Sequence, residues 1–222
     1  MIAKLPRWVW SGAGILAFVA GMVNVTGLLG FEHQAVTHLT GTTSLLSHAV
    51  AAGDGAMAWR LLGVIAAFVA GSAFSGYVIR DSTLRLGRRY GVSLAVESLL
   101  LVVAVPLLNR DCHLGVCLAS AACGLQNGMA TVYSAATVRT THLSGMFTDL
   151  GIYLGHLLRG LGVDWRRLKL CGVIITGFLA GGWAGSLAYR GLGYQALFIP
   201  AAITGCGAAA YAVRGLLRPA GR

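Results

Sequence analysis

Two stretches of this chain set its fold class. Residues 57–79, MAWRLLGVIAAFVAGSAFSGYVI, carry one charge, Arg60, near their start. Residues 168–189, LKLCGVIITGFLAGGWAGSLAY, carry only Lys169, also near the start. A helix crosses the hydrocarbon of a bilayer in about 20 apolar residues, and one that is apolar all round has no face to offer water. Further apolar segments run at 8–30, 90–108, 114–133 and 194–213, with shorter and more polar ones at 37–52 and 141–158. The composition agrees. Only 11% of the 222 residues are charged, against about 25% in soluble domains. Hydrophobic residues make up 56% and mean hydropathy is +0.74. The chain is long enough for a soluble core but lacks the polar residues to coat one. The expectation is an all-α polytopic membrane protein, one membrane domain over residues 1–222.

Lys and Arg number 17 and Asp and Glu 7. In a soluble protein that excess would point to nucleic acid. Here the basic residues fall in short connections between apolar runs, where cytoplasmic loops hold them. Nucleic acid is therefore not an expected partner, and the lipid bilayer is. The N-terminus, MIAKLPRWVWSGAGILAFVAG, has the basic start and apolar stretch of a signal peptide. Retention is expected instead, because this segment has a counterpart later in the chain. Cys112, Cys117, Cys123, Cys171 and Cys206 give an odd count without a disulfide framework or zinc spacing.

The chain repeats itself weakly but in order. Gly21 and Asn24 match Gly124 and Asn127 at an offset of 103 residues. THLTG (37–41) matches THLSG (141–145) at 104. Trp59–Arg60 matches Trp165–Arg166 at 106, and FVAGSAFSG (68–76) matches FLAGGWAGS (178–186) at 110. Offsets that drift slowly upward are those of two related halves with small insertions. Repeat one spans 8–108 and repeat two 114–213.

Charge then discriminates between topologies. If all eight segments cross, Arg80, Arg85, Arg88 and Arg89 are separated from the other basic clusters. If 37–52 and 141–158 instead enter and leave by the same face, every Lys and Arg except Arg60, Arg110 and Arg190 falls on one side. The second arrangement satisfies the positive-inside rule better. It gives each half three spans plus one short polar re-entrant or broken helix. An odd number of spans inserts the halves upside down relative to each other, as inverted repeats. Both termini are then cytoplasmic. Gly177, Gly181 and Gly185, with Ala67, Gly71 and Ser75 in the first half, recur every fourth residue. Such spacing lets helix backbones approach closely.

The polar pairs are the candidate site. Thr37, Thr40, Gly41, Ser44 and His48 share one helical face, as do Thr141, Ser144, Gly145 and Thr148. Thr and Ser are natural N-caps. If the two segments are re-entrant, their N-termini present free N–H groups and a positive dipole end near the midplane, suited to an anion or carboxylate. The bland alternative is that these hydroxyls only satisfy backbone. His38 and His142 occupy matching positions, for substrate contact or proton relay. Asn24 and Asn127 either line the cavity or bond helix to helix. Glu97 interrupts SLAVESLLLVVAV and costs about 2.5–3.5 kcal/mol on insertion scales. With Asp149 it is the candidate for proton coupling, or a quiet neutral acid. No catalytic group, metal set or cofactor motif is expected: phosphate loop, nucleophile elbow and metalloprotease His pair are all missing.

The stretches GMVNVTGLLGFEHQAVTHLTGTTSLL and GLQNGMATVYSAATVRTTHLSGMFTDLGIYLG resemble the YoaK-like bacterial membrane proteins, a family carrying domain of unknown function 1275. The likeness covers nearly the whole chain, and the second motif is quite specific. It implies a polytopic protein of the bacterial inner membrane. Asn24 departs from the family pattern, which often has Asp there. The functional expectation is a transporter or channel-like protein for a small polar or anionic solute, compatible with a homo-oligomer. The alternatives are a membrane scaffold and an intramembrane enzyme.

Overall fold

The computed structural model describes residues 7–30, 37–79, 88–133 and 140–217. They form α1 (Arg7–Gly30), α2 (Leu39–Ala51), α3 (Gly55–Val78), α4 (Arg88–Leu108), α5 (His113–Tyr133), α6 (Leu143–Leu158), α7 (Trp165–Leu192) and α8 (Phe198–Leu217), with a 3-10 turn at Gly193–Leu197. No strand occurs among the described residues. Four helical stretches are long and apolar enough to cross a membrane: Val9–Gly30, Gly55–Val78, Arg89–Leu108 and Trp165–Val213, the last holding α7 and α8. Outward-facing Val69, Leu99, Leu179 and Trp183 are what a lipid-facing surface requires. α5 is as long as α4 but is outside that set, being diluted by Ser120, Gln126, Asn127 and Thr131.

Local signals explain where helices begin. The Asp54 carboxylate accepts from the backbone N–H of Met57 at 2.9 Å, capping α3. Asp164 does the same for α7, accepting from Arg166 N–H at 3.0 Å. Each cap follows a tight turn whose glycine, Gly53 or Gly160, has positive φ. These turns fold α2 back along α3 and α6 back along α7.

The long helices pair across the halves. α1 packs on α7, and α3 on α5. Both contacts are made through glycine against backbone. A Cβ on Gly21 would overlap the carbonyl oxygen of Phe178, and one on Gly181 that of Phe18. A Cβ on Gly124 would overlap the carbonyl of Phe68, and one on Gly71 that of Ala121. The stripe of small residues at 177, 181 and 185 thus meets Gly14, Phe18 and Met22 in turn, so α1 and α7 run parallel. Hydroxyls reinforce the other pair: Ser120 Oγ donates to the Val64 carbonyl, Ser72 Oγ to Gly124 and Ser75 Oγ to Leu125. α3 and α5 are therefore also parallel.

α4 lies antiparallel against α8. Gly91 meets Tyr211, Gly207 meets Leu94, and Ser98 Oγ donates to the Ala201 carbonyl at 2.8 Å. The starts of α1 and α4 share one end of the bundle with the ends of α5 and α8, where Leu16, Leu94 and Met129 pack with Tyr90 and Tyr211. The starts of α3 and α5 share the other, where the His113 ring bonds the Arg60 carbonyl. Arg89, Arg159, Arg166, Arg167 and Lys169 consequently sit toward the first end, and Arg60, Arg110 and Arg190 toward the second. Lys4, Arg80, Arg85, Arg139, Arg218 and Arg222, counted in the sequence argument, lie outside the described residues.

Candidate functional site

The motif THLTG begins before α2, and THLSG before α6. Thr37 is buried, and its hydroxyl donates to Asn24 Oδ1 at 2.5 Å. This bond ties the start of α2 to α1 at a point six residues short of the end of α1, about 9 Å along the axis. Thr141 is likewise buried before α6, with Thr140 beside it. The caps themselves are not hydroxyls, as the sequence suggested. His38 and His142 hold the N-cap positions, in similar backbone conformations and without a side-chain cap bond. Both rings are exposed. The His142 ring folds over Gly145, so that a Cβ there would collide with it. Gly41 has open space, so His38 does not repeat the arrangement.

Thr37 and Thr141 are buried, but the rest of each polar stripe points outward. Thr40, Gly41, Ser44 and His48 are exposed, and α2 buries Thr42 and Ala49. Ser144 and Thr148 are exposed on α6, which buries Leu143 and Met146. The hydroxyls satisfy themselves on their own helices: Ser44 Oγ donates to the Thr40 carbonyl and Thr148 Oγ1 to that of Ser144. A hydroxyl bonded to the i−4 carbonyl needs no tertiary partner, so apolar residues decide which face is buried. α2 packs on α3 and α6 on α7, with no contact between α2 and α6. The two helices that follow the motifs thus rest on different neighbours.

Three buried oxygens lack a partner among the described residues: Glu97 Oε2, Asn127 Oδ1 and Thr140 Oγ1. Glu97 is 1% exposed and lies within electrostatic reach of Cys123 on α5. Asn127 matches Asn24, yet its Oδ1 is idle where that of Asn24 is bonded; Thr140 directly precedes Thr141, the match of Thr37. Asp149 does not share this isolation. It pairs with Arg167 at 3.1 Å, in a partly exposed bridge. Gln126 was not singled out in the sequence. It is 1% exposed and donates from Nε2 to the Leu16 carbonyl at 2.7 Å, joining α5 to α1. Its signal was a second amide beside Asn127 in an apolar run.

A cavity of about 180 Å³ opens between α1, α4, α5 and α8 at the end of the bundle holding Tyr90 and Tyr211. Its walls are chiefly apolar, with Gly12 and Leu16 on α1, Leu94 on α4 and Ile203 on α8, and Thr204 adds a hydroxyl. None of the candidate residues lines it. The five cysteines are free. No group of three or more His, Cys, Asp or Glu among the described residues is placed to hold a metal ion.

The family model described as "Protein of unknown function (DUF1275)" matches residues 12–210. No curated protein and no solved structure matches the chain.

Proposed function

The chain belongs to the DUF1275 family, and on that premise we propose that it is a small polytopic transporter built from two inverted repeats, moving a small polar or anionic solute. One observation carries the reading. The two tightest glycine contacts of one helix pair have repeat-related twins in the other. Gly21 on Phe178 becomes Gly124 on Phe68, and Gly181 on Phe18 becomes Gly71 on Ala121, under offsets of 103 and 110 residues. The halves have exchanged helices about a pseudo-two-fold relation, the plan of many secondary transporters.

Helix directions support the inversion. α1 starts at the same end as α4 and the end of α5, so the matching helices α1 and α5 run oppositely. α2 and α6 then belong to opposite ends, each a half-helix returning beside its neighbour, and in this reading they are re-entrant. The end with Arg89, Arg159, Arg166, Arg167 and Lys169 faces the cytoplasm, by the positive-inside rule, of a bacterial inner membrane. Asn24, Thr37, His38, Thr40 and Gly41 in one half, and Asn127, Thr141, His142, Ser144 and Gly145 in the other, serve the solute at successive depths rather than in one cage. Glu97 handles protons, with Asp149 held in reserve by Arg167.

The test is flux. Protein in proteoliposomes should carry at least one member of a panel of small anions and polar solutes, and His142→Ala should abolish that flux while the protein stays monodisperse. Absence of flux across the panel, with and without a pH gradient, would sink the reading. A scaffold role is favoured by one feature, the outward polar face of α2 with Thr40, Ser44, Ser47 and His48 exposed. It predicts instead that Ser44→Leu with Ser47→Leu disperses an assembly seen on native gels and leaves flux untouched.

A further inference from the structure

The repeat relation is obeyed by α1, α3, α5 and α7 and broken by α4 and α8. α4 packs closely along α5: Gly115 lies against Leu108, where a Cβ would come within 2.7 Å of that side chain. Leu101, Ala104 and Val105 close with Ala119, Ala122 and Cys123 into one buried cluster. The repeat-related pair is α8 with α1. There the helices stand apart, and the cavity lies between them. The offset of 110 residues that relates FVAGSAFSG on α3 to FLAGGWAGS on α7 is carried on to α4 and α8. Carried across at that offset, the cavity residues Gly207 and Tyr211 become Glu97 and Leu101, whereas Thr204 becomes Leu94, which lines the cavity itself. Carried across at 103, Gly12, Ala13 and Leu16 become Gly115, Val116 and Ala119. The twin of the open cavity is a closed seam, and buried Glu97 lies beside it, within electrostatic reach of Cys123 in that cluster.

Resting on the transporter reading, we infer that the chain has a second, currently shut entrance between α4 and α5, at the Arg60–Arg110 end, and that Glu97 is the proton-exchanging group it exposes. Two near-equivalent halves in unequal conformations have a second state of similar energy, in which the halves trade conformations. In that state α8 closes on α1, the cavity collapses, and α4 parts from α5. The scaffold for this motion is the pair of glycine-mediated contacts, where backbone meets backbone and nothing can slide. The moving body is α4 with α8, held together by the Ser98–Ala201 bond. Glu97 Oε2, without a partner beside the closed seam, then meets water, gives its proton to it, and recovers one before the seam shuts.

The experiment uses full-length protein in proteoliposomes, with the five native cysteines replaced. Ala119→Cys, buried in the seam, and half-buried Val116→Cys are probed with a membrane-impermeant thiol reagent from the Arg60–Arg110 side. Ile15→Cys and Ile203→Cys, on the α1 and α8 walls of the cavity, are joined by a disulfide beforehand. We expect locking the cavity shut to raise labelling at both probes at least about tenfold, and Glu97→Gln to leave this labelling intact while removing proton movement. Failure of the disulfide to form, or equal labelling with and without it, overturns the inference. Solute flux is scored separately. Flux without reciprocal labelling retains the transporter and discards the second entrance. Reciprocal labelling without flux of any solute does the reverse.

Discussion

Thr37 donates its hydroxyl proton to Oδ1 of Asn24 across a gap of thirteen residues, and both side chains are buried. The bond pins Thr37, just ahead of α2, against α1. Removing one partner strands the other in an apolar setting, at about 1–3 kcal/mol. Asn24→Ala and Thr37→Val should each lower the detergent melting temperature by several degrees. The double variant Asn24→Leu with Thr37→Val should cost less than the two single losses added. Asn24→Asp should cost least, because a carboxylate oxygen still accepts from Thr37. Additive losses would mean the two residues act independently.

The glycine contacts give the sharpest contrast in stability. Gly71→Ala and Gly181→Ala drive a methyl into a carbonyl of the facing helix, where neither backbone can yield without separating the pair. A cost at or above about 3 kcal/mol is expected, read as loss of the monodisperse peak in size-exclusion chromatography. Gly12→Ala and Gly172→Ala meet nothing within 4 Å and should be neutral or slightly stabilising, since alanine favours the helix by about 1 kcal/mol. Equal behaviour of the two sets would contradict the pairing of α1 with α7 and α3 with α5.

How much of this was legible in the sequence depends on the residue. The fourfold spacing of Gly177, Gly181 and Gly185 announced a packing face. It did not say which helix would cover it, because a smooth face fits any small-residue neighbour, and the partner proved to be α1 of the other half. Asn24 was visible as polar in an apolar run, but Thr37 lies past a connection whose path no local signal sets. The spacing put Thr37 on one face with Thr40, Ser44 and His48, but Thr37 precedes the helix and is buried while the other three are exposed. Gln126 escaped notice because its repeat mate is Val23, so the repeat argument had nothing to match.

Asp149 and Arg167 separate two kinds of carboxylate. Their bridge is partly exposed, with side chains 25% and 50% accessible, and pairs of that kind contribute about 0–1 kcal/mol. Asp149→Asn should therefore shift the melting temperature by no more than a degree or two. A large loss of stability would place the pair in a drier setting than the structure gives it.

Topology is the prediction on which the repeat argument stands. α1 and α5 run in opposite directions, and the short turns at Gly53 and at Gly162 belong to opposite ends of the bundle. In a cysteine-free background, Gly162→Cys should react with an impermeant reagent from the same side as Arg89→Cys, and Gly53→Cys from the side of Asp111→Cys. Gly53 and Gly162 are in loops with no neighbour within 4 Å, although the positive φ of Gly53 makes Asp54→Cys a useful second probe there. If Gly53 and Gly162 label from one side, α2 or α6 crosses the membrane completely. The halves would then be parallel, and the exchange of roles between α4 and α8 would lose its basis.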